Sequence, residues 1–279
     1  MISFRSQIFY GAVMHRILRT LSLLLGLVAG PVAATTQDDV LSAALLPGWQ
    51  TETGTRMAGL ELDLAPGWKT YWRSPGDAGI PPSFDWSGSV NVKAVRIHWP
   101  APSVFLTAGM QTIGYHDRVI LPVEITPIDP GQPMRLAVEV QLGICDKICL
   151  PASVSLTSNL GASGADDGIS AALAQRAATA AEAGVSGVSC TIDPIPDGLR
   201  LTARIRLADP GQSEVGAFET GDPAVWVAAA VTRREGGELV TMTELVPPNG
   251  APFALERSAV TMTILYAGVA IEVRGCPAP

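Results

Sequence analysis

The sequence predicts an all-β protein of two sandwich domains joined by a short helical linker. Three observations carry this. Apolar and polar residues alternate with period two in many short runs, Pro and Gly clusters punctuate those runs, and one Ala/Gly-rich stretch divides them into two groups. The composition suits a packed globular chain: 47% of the 279 residues are apolar and 16% are charged.

The first element is an address. Residues 1–34 hold Arg5, Arg16 and Arg19 and no acid. An apolar run from Leu21 to Val32 follows the basic segment, and Val32-Ala33-Ala34 places small residues where a signal peptidase cuts. Such a run is too short to span a bilayer comfortably. A start at Met14 would give a more compact signal of the same plan. Further on, the longest uncharged candidate is Ser258 to Ile271, short and rich in Thr, so no membrane span is expected. The expectation is a cleaved leader at residues 1–34 and a soluble exported product, in a compartment where disulfides persist.

Beyond the leader the chain carries 16 basic and 26 acidic residues, and only three lysines in all. Phosphate-backbone binding needs clustered Lys and Arg, so nucleic-acid partners are excluded.

Residues 35–160 read as the first sandwich. Leu60, Leu62 and Leu64 alternate with Glu61 and Asp63; Val95, Ile97 and Trp99 alternate with Arg96 and His98. Val119 to Ile125 and Leu136 to Leu142 repeat the pattern, with Ser74-Pro75-Gly76, Ile80-Pro81-Pro82 and Asp129-Pro130-Gly131 as turns. Residues 161–184 are Ala/Gly-rich, and Asp166-Asp167 could cap a helix over 169–183, which makes this the linker. Residues 185–279 return to β. Leu199 to Leu207 alternates with Arg200, Thr202, Arg204 and Arg206, and further strands are expected over 224–231, 239–245, 260–266 and 269–273. The arginine row reads as a solvated face.

Four cysteines allow three pairings, and sequence position favours one of them. Cys145 and Cys149 have three residues between them, while Cys190 opens the second domain and Cys276 closes it. A Cys190–Cys276 bond closes a long loop, worth about 4.6 kcal/mol in the chain-entropy model, against about 2 kcal/mol for Cys145–Cys149. The long bond is a structural staple. The short bond stabilises little and is a candidate for exchange chemistry, although it could equally just pin a hairpin. Even-numbered residues of 136–142 face the core, so Cys145 is expected on the opposite, wetter face. Lys147 would favour a thiolate nearby and Asp146 would oppose it.

Four motifs occur in order: Pro66-Gly-Trp-Lys-Thr-Tyr-Trp-Arg-Ser-Pro-Gly-Asp-Ala-Gly-Ile-Pro-Pro82, His98-Trp-Pro100, Gly114-Tyr-His-Asp-Arg-Val-Ile-Leu-Pro122 and Cys145-Asp-Lys-Ile-Cys-Leu-Pro151. Over roughly residues 45–160 this series resembles the N-terminal periplasmic domain of DsbD-type protein-disulfide reductases, especially the ScsB-like branch. The resemblance implies an immunoglobulin-like sandwich, and hence two such sandwiches if the second domain follows suit. It implies a periplasmic protein-disulfide reductase component without a cofactor. Its partners would be a membrane-embedded DsbD/ScsB-like or CcdA-like reductase and periplasmic thioredoxin-fold proteins. Cys149 would be the sulfur that attacks or is attacked, Cys145 would resolve the mixed disulfide, and Tyr71 matches a family aromatic near the cysteines.

The sequence departs from the family's best-known members in three ways. Their cap loop carries an aromatic with acidic neighbours, and Leu106-Thr-Ala-Gly-Met110 has neither, which leaves Met110 or Phe105 as the candidate shield. The cysteine pair is closer together. Full-length family reductases continue into membrane and thioredoxin domains, so a separate electron donor is expected here.

His116 is a candidate for tuning Cys149, while His98 and Trp68, Trp72, Trp86 and Trp99 read as packing residues. No hydrolase or phosphate-binding motif is present: Gly184-Val-Ser-Gly187 is followed by Val188, which breaks the nucleophile-elbow pattern. No metal site is expected in the exchange reading. The main alternative is a soft Cu(I) site of Cys145, Cys149 and Met110, making a copper-tolerance protein. A third reading is a non-catalytic adaptor.

Overall fold

The computed structural model describes residues 36–107, 109–161, 164–250 and 253–279, and the expected leader at 1–34 lies outside them. Ten strands come first: β1 (Leu41–Gln50), β2 (Arg56–Leu64), β3 (Lys69–Gly76), β4 (Ser83–Asp85), β5 (Val92–Ile97), β6 (Ser103–Thr107), β7 (Met110–His116), β8 (Arg118–Pro127), β9 (Met134–Cys145) and β10 (Cys149–Leu160). A short helix α1 (Ile169–Ala174) follows. The remaining strands are β11 (Ala178–Thr179), β12 (Gly187–Ile195), β13 (Gly198–Arg206), β14 (Val215–Glu219), β15 (Trp226–Val227), β16 (Val231–Glu235), β17 (Glu238–Val246), β18 (Thr261–Tyr266) and β19 (Val269–Arg274).

The strands form four sheets. Orders β1-β2-β8-β5 and β10-β9-β3-β7-β6, with β4 on β9, enclose the first core. Orders β11-β19-β18-β14 and β12-β13-β17-β15, with β16 on β17, enclose the second. Every pairing among these strands is antiparallel except β11 with β19. Alternation decides which side is buried. Leu60 and Leu62 are sealed while Glu61 and Asp63 stay accessible, and Leu136, Val138, Val140 and Leu142 line the same core from the other sheet. Trp72 is buried there, and Trp68, Trp86 and Trp99 pack against its margin. In β13, Leu201, Ala203 and Ile205 point inward. The arginines opposite them are solvated and meet glutamates: Arg200–Glu244 at 2.8 Å, Arg204–Glu235 at 3.1 Å and Arg206–Glu238 at 2.9 Å. Residues Gln37–Pro279 form one compact unit.

Two expectations are corrected. The helix expected over 169–183 covers only Ile169–Ala174. Asp166 does accept the Ser170 N–H at 2.7 Å, and Ile169 is fully buried. From Gln175 onward, however, the backbone is claimed by tertiary pairing. Ala101 N–H donates to Gln175 O at 2.7 Å, Arg176 bridges Pro100, and Ala178–Thr179 adds to β19. Alanine's helix propensity is a weak prior against such pairing, and a stretch this short cannot hold a helix alone. The strand expected over 224–231 is likewise only β15, and the chain re-enters a ladder at Val231. Between them Ala228 O accepts from the Thr243 hydroxyl at 2.7 Å and Ala229 N–H donates to Asp77 Oδ1 at 3.1 Å.

The outer edge of β10 carries a clasp. The Gln37 side-chain amide donates to Ser153 O at 3.0 Å and its oxygen accepts Ser153 N–H at 2.9 Å, so one side chain imitates a neighbouring strand.

Candidate functional site

β9 and β10 form a hairpin whose tip is Asp146-Lys147-Ile148, closed by Asp146 N–H to Ile148 O at 3.0 Å. Cys145 and Cys149 end the two strands, stand opposite each other in the register and are joined as a disulfide with Cα atoms 4.1 Å apart. The two sulfurs differ in exposure. Cys149 is exposed, whereas Cys145 is 1% accessible. The wetter position expected for Cys145 is therefore wrong. Parity does turn it away from the core that Leu142 and Ile144 line, but at this end of the sheet the outer face is itself covered.

Tyr71 provides the cover. Strand β3 lies beside β9 with Lys69 opposite Cys145, so period two places Lys69 and Tyr71 on the face that carries the disulfide. The Tyr71 hydroxyl donates to Cys145 Sγ at 3.0 Å and lies 3.7 Å from Cys149 Sγ. Burial raises the Tyr71 pKa above its ordinary value, so the phenol stays protonated and remains a donor at physiological pH. The ring fits because two glycines flank it. A Cβ on Gly79 would stand 2.8 Å from Tyr71 Cδ1, and one on Gly143 would stand 3.2 Å from Tyr71 Cε2 and 3.0 Å from Ile80 Cβ. Residues 75–80 thus form a roof over the tyrosine. Thr70, on the core side, ties β3 to β9 by donating to Gly143 O at 2.9 Å. Gly114 of β7 lets β3 approach from the other flank, since a Cβ there would fall 2.0 Å from Thr70 O.

The other expected residues lie farther along the same face. His116 is opposite Lys69 in the register, two strand spacings from Cys145, or roughly 10 Å. It is exposed and pairs with Asp117 at 2.6 Å. Its ring meets Phe105 edge-on at 6.0 Å, and Lys69 Nζ lies 5.0 Å above the Phe105 ring. Met110 starts β7 opposite Thr107, at the far end from His116, and is 45% exposed. Six residues of strand, roughly 20 Å, separate that end from the cysteine row. The three-sulfur copper site gains no support from this placement. Among the described residues no cluster of three or more His, Cys, Asp and Glu side chains is placed to hold a metal ion. His98 is held by Glu124 at 2.9 Å, away from the cysteines, and this contact keeps the Glu124 carboxyl below the usual range.

Sequence reasoning missed Lys69, Gly79, Ile80 and Gly143. Lys69 was accessible, since it stands two residues before Tyr71 and so shares its strand face. The glycine–tyrosine–glycine stack was not, because nothing local couples residues 79 and 143.

Residues 42–160, which contain every feature of this site, match the family described as thiol:disulfide interchange protein DsbD, N-terminal. The match spans the cysteine hairpin and Tyr71. A crystal structure of the N-terminal periplasmic domain of ScsB from Proteus mirabilis is also similar, with a TM-score of 0.65 and 25% identity over 88% of this chain and 96% of that one. The likeness to ScsB therefore runs past the DsbD-type segment into the C-terminal sheets. No curated protein matches the chain in sequence.

The second disulfide, Cys190–Cys276, lies outside the DsbD-type segment, with Cα atoms 5.5 Å apart and both residues 1% accessible. Arg257 Nη1 donates to the carbonyls of Cys190 at 3.1 Å and Cys276 at 3.0 Å, and Cys190 N–H donates to Pro277 O at 2.7 Å.

Removing only the Tyr71 oxygen isolates what that hydroxyl does to sulfur. A hydrogen bond to a charged group is worth about 1.5–3 kcal/mol. Tyr71→Phe is therefore expected to slow by about tenfold or more any step in which Cys145 must carry negative charge, with little change in folding stability. The decay of a preformed mixed disulfide on Cys149, followed by quenched-flow alkylation, reads that step.

Proposed function

We propose that the chain is a periplasmic thiol–disulfide exchange protein. It takes electrons from a membrane-embedded or thioredoxin-fold donor and passes them to oxidised partners through Cys149 and Cys145. One observation carries this reading: a small disulfide ring joins one exposed cysteine to one buried under a tyrosine hydroxyl. The DsbD-type segment and the ScsB likeness support it. In the same reading residues 35–160 and 185–279 are two immunoglobulin-like domains, 161–184 connects them, and 1–34 is the export signal.

In the reduced protein the Cys149 thiolate attacks one sulfur of the partner's disulfide. An S–S bond forms between the two proteins, and the partner's other sulfur leaves as a thiolate and takes a proton. Cys145 then loses its proton and attacks Cys149 Sγ, the ring closes, and the partner departs as a dithiol. Two electrons and two protons have passed to the partner. A donor dithiol runs the same steps in reverse to reopen the ring. The exposures suit the roles, since an attacking sulfur must reach a foreign disulfide and a resolving sulfur need reach only Cys149. Burial of Cys145 also keeps a second partner from intercepting it. Tyr71 supplies a fixed donor to the sulfur that must develop charge in the resolving step.

A redox titration with thiol alkylation and mass mapping tests the division of labour. The two rings differ by about 2.6 kcal/mol in closure entropy, so Cys145–Cys149 is expected to open roughly 60 mV less negative than Cys190–Cys276. Opening of both bonds at one potential, or of Cys190–Cys276 first, overturns the assignment.

A further inference from the structure

Apolar residues of the C-terminal sheets, Ala217, Leu265 and Ala270, join the first core, and the hydrogen bonds from these sheets to the first sandwich gather on the few residues that follow Tyr71. Arg73 Nε donates to both oxygens of Glu219 at 2.9 and 3.0 Å, and Arg73 Nη2 donates to Glu272 at 3.0 Å. All three side chains are less than a third exposed, and the guanidinium also lies 4.4 Å above the Trp72 ring. Ser74 Oγ donates to Phe218 O at 3.4 Å, and Asp77 Oδ1 accepts Ala229 N–H at 3.1 Å. Residues 73–77 lead straight into Gly79 and Ile80, the part of the roof that touches Tyr71 and Gly143. Beyond these ties a groove of about 620 Å³, with Pro75, Pro81 and Trp226 on its walls, separates the roof from the segment around residues 218–227. The roof is thus anchored at its beginning and open along its outer side.

We propose that the C-terminal sheets brace the roof: through Glu219, Glu272 and the backbone at Ala229 they hold residues 73–80 down on Tyr71, so that Cys145 stays sealed while Cys149 stays open. Arg73 and Asp77 are then positioning residues for the exchange. This rests on the reading of Cys149 as the attacking sulfur and Cys145 as the resolving one. The physical argument is one of leverage. Arg73 Nε is shared between both Glu219 oxygens while Nη2 reaches Glu272, so one guanidinium bridges two carboxylates, and the cluster is partly withdrawn from water, where such pairs are screened less. Releasing it loosens β3 just past Tyr71, leaving the Gly76–Thr112 pairing and the Asp77 N–H to Gln111 O bond at 3.1 Å as the backbone holds ahead of Gly79 and Ile80, and so favours local opening there.

The test uses the full chain with Cys145–Cys149 reduced and Cys190–Cys276 intact, pulsed with iodoacetamide and mapped by mass. In the wild type, Cys149 is expected to label fast and Cys145 slowly. In the Glu219→Gln/Glu272→Gln double variant, Cys145 labelling is expected to rise about tenfold while Cys149 labelling holds. Asp77→Ala gives an independent arm. It should raise Cys145 labelling, while Asp77→Asn, which keeps an acceptor oxygen for Ala229 N–H, should label like the wild type. Unchanged protection of Cys145 in either folded variant overturns the brace, and so does equal labelling of Asp77→Asn and Asp77→Ala. Because the readout is access rather than exchange, failure of the exchange reading shows separately, as an absence of mixed disulfides in the Cys145→Ser chain.

Discussion

A Cys145→Ser chain, reduced and offered an oxidised thioredoxin-fold partner, is expected to accumulate a mixed disulfide through Cys149, while Cys149→Ser yields none and loses exchange altogether. The expectation follows from exposure and not from spacing. A foreign disulfide must approach the attacking sulfur in line, and Cys149 at the end of the hairpin is open to it. Cys145 sits beneath Tyr71 and, behind it, Gly79 and Ile80, so a protein-sized partner has no path to it without lifting the roof. With serine at 145 no thiol of this chain remains to attack Cys149 Sγ, and with the partner's released thiol alkylated on quenching the intermolecular bond persists. Non-reducing gels and mass mapping of the adduct are the measurement. Adducts trapped on Cys145 in the Cys149→Ser chain would reverse the roles and with them the mechanism.

The largest stability effect is expected at the other bond. Replacing Cys190 and Cys276 together by Ala should cost about 4 kcal/mol, because the crosslink removes the closure entropy of a loop spanning 86 positions. For a chain of this size that corresponds to a fall in Tm of roughly 10 °C. Both residues are buried and Arg257 holds both of their carbonyls, so the termini of the C-terminal sheets are fastened there by backbone as well as by sulfur. Replacing Cys145 and Cys149 by Ser should cost about 2 kcal/mol at most, since the ring is short and one of its members is already in water. Calorimetry on both double variants measures the contrast, and equal losses would mean that the two bonds do not divide their work as described.

Much of the fold was legible because alternation reports burial directly. Leu60 to Leu64, Leu136 to Leu142 and Leu201 to Ile205 all bury the side their pattern marks. Strands without alternation were not found: β1 reads Leu-Ser-Ala-Ala-Leu-Leu-Pro-Gly-Trp-Gln and is recognisable only by its pairing with β2. The helix was overextended because alanine content says nothing of the partners waiting at Pro100 and β19. At the site, the motifs picked out Tyr71, Cys145 and Cys149, and the structure brings these three within hydrogen-bonding reach. Parity placed Cys145 on the correct face but could not reveal its cover, which comes from residues 71, 79 and 80 folding over from another strand and its following loop. His116 and Met110 share the segment and not the contact, since distance along a strand is invisible to a motif.

The amide of Gln37 at Ser153 bears on how the hairpin can be recognised. With the Gln37 amide already paired to Ser153 on that border, and Pro151 offering no N–H beside it, the edge next to the sulfur gives a visiting polypeptide few main-chain partners. In the proposed exchange reading, recognition then falls to side-chain contacts around the hairpin tip and not to a shared main-chain ladder.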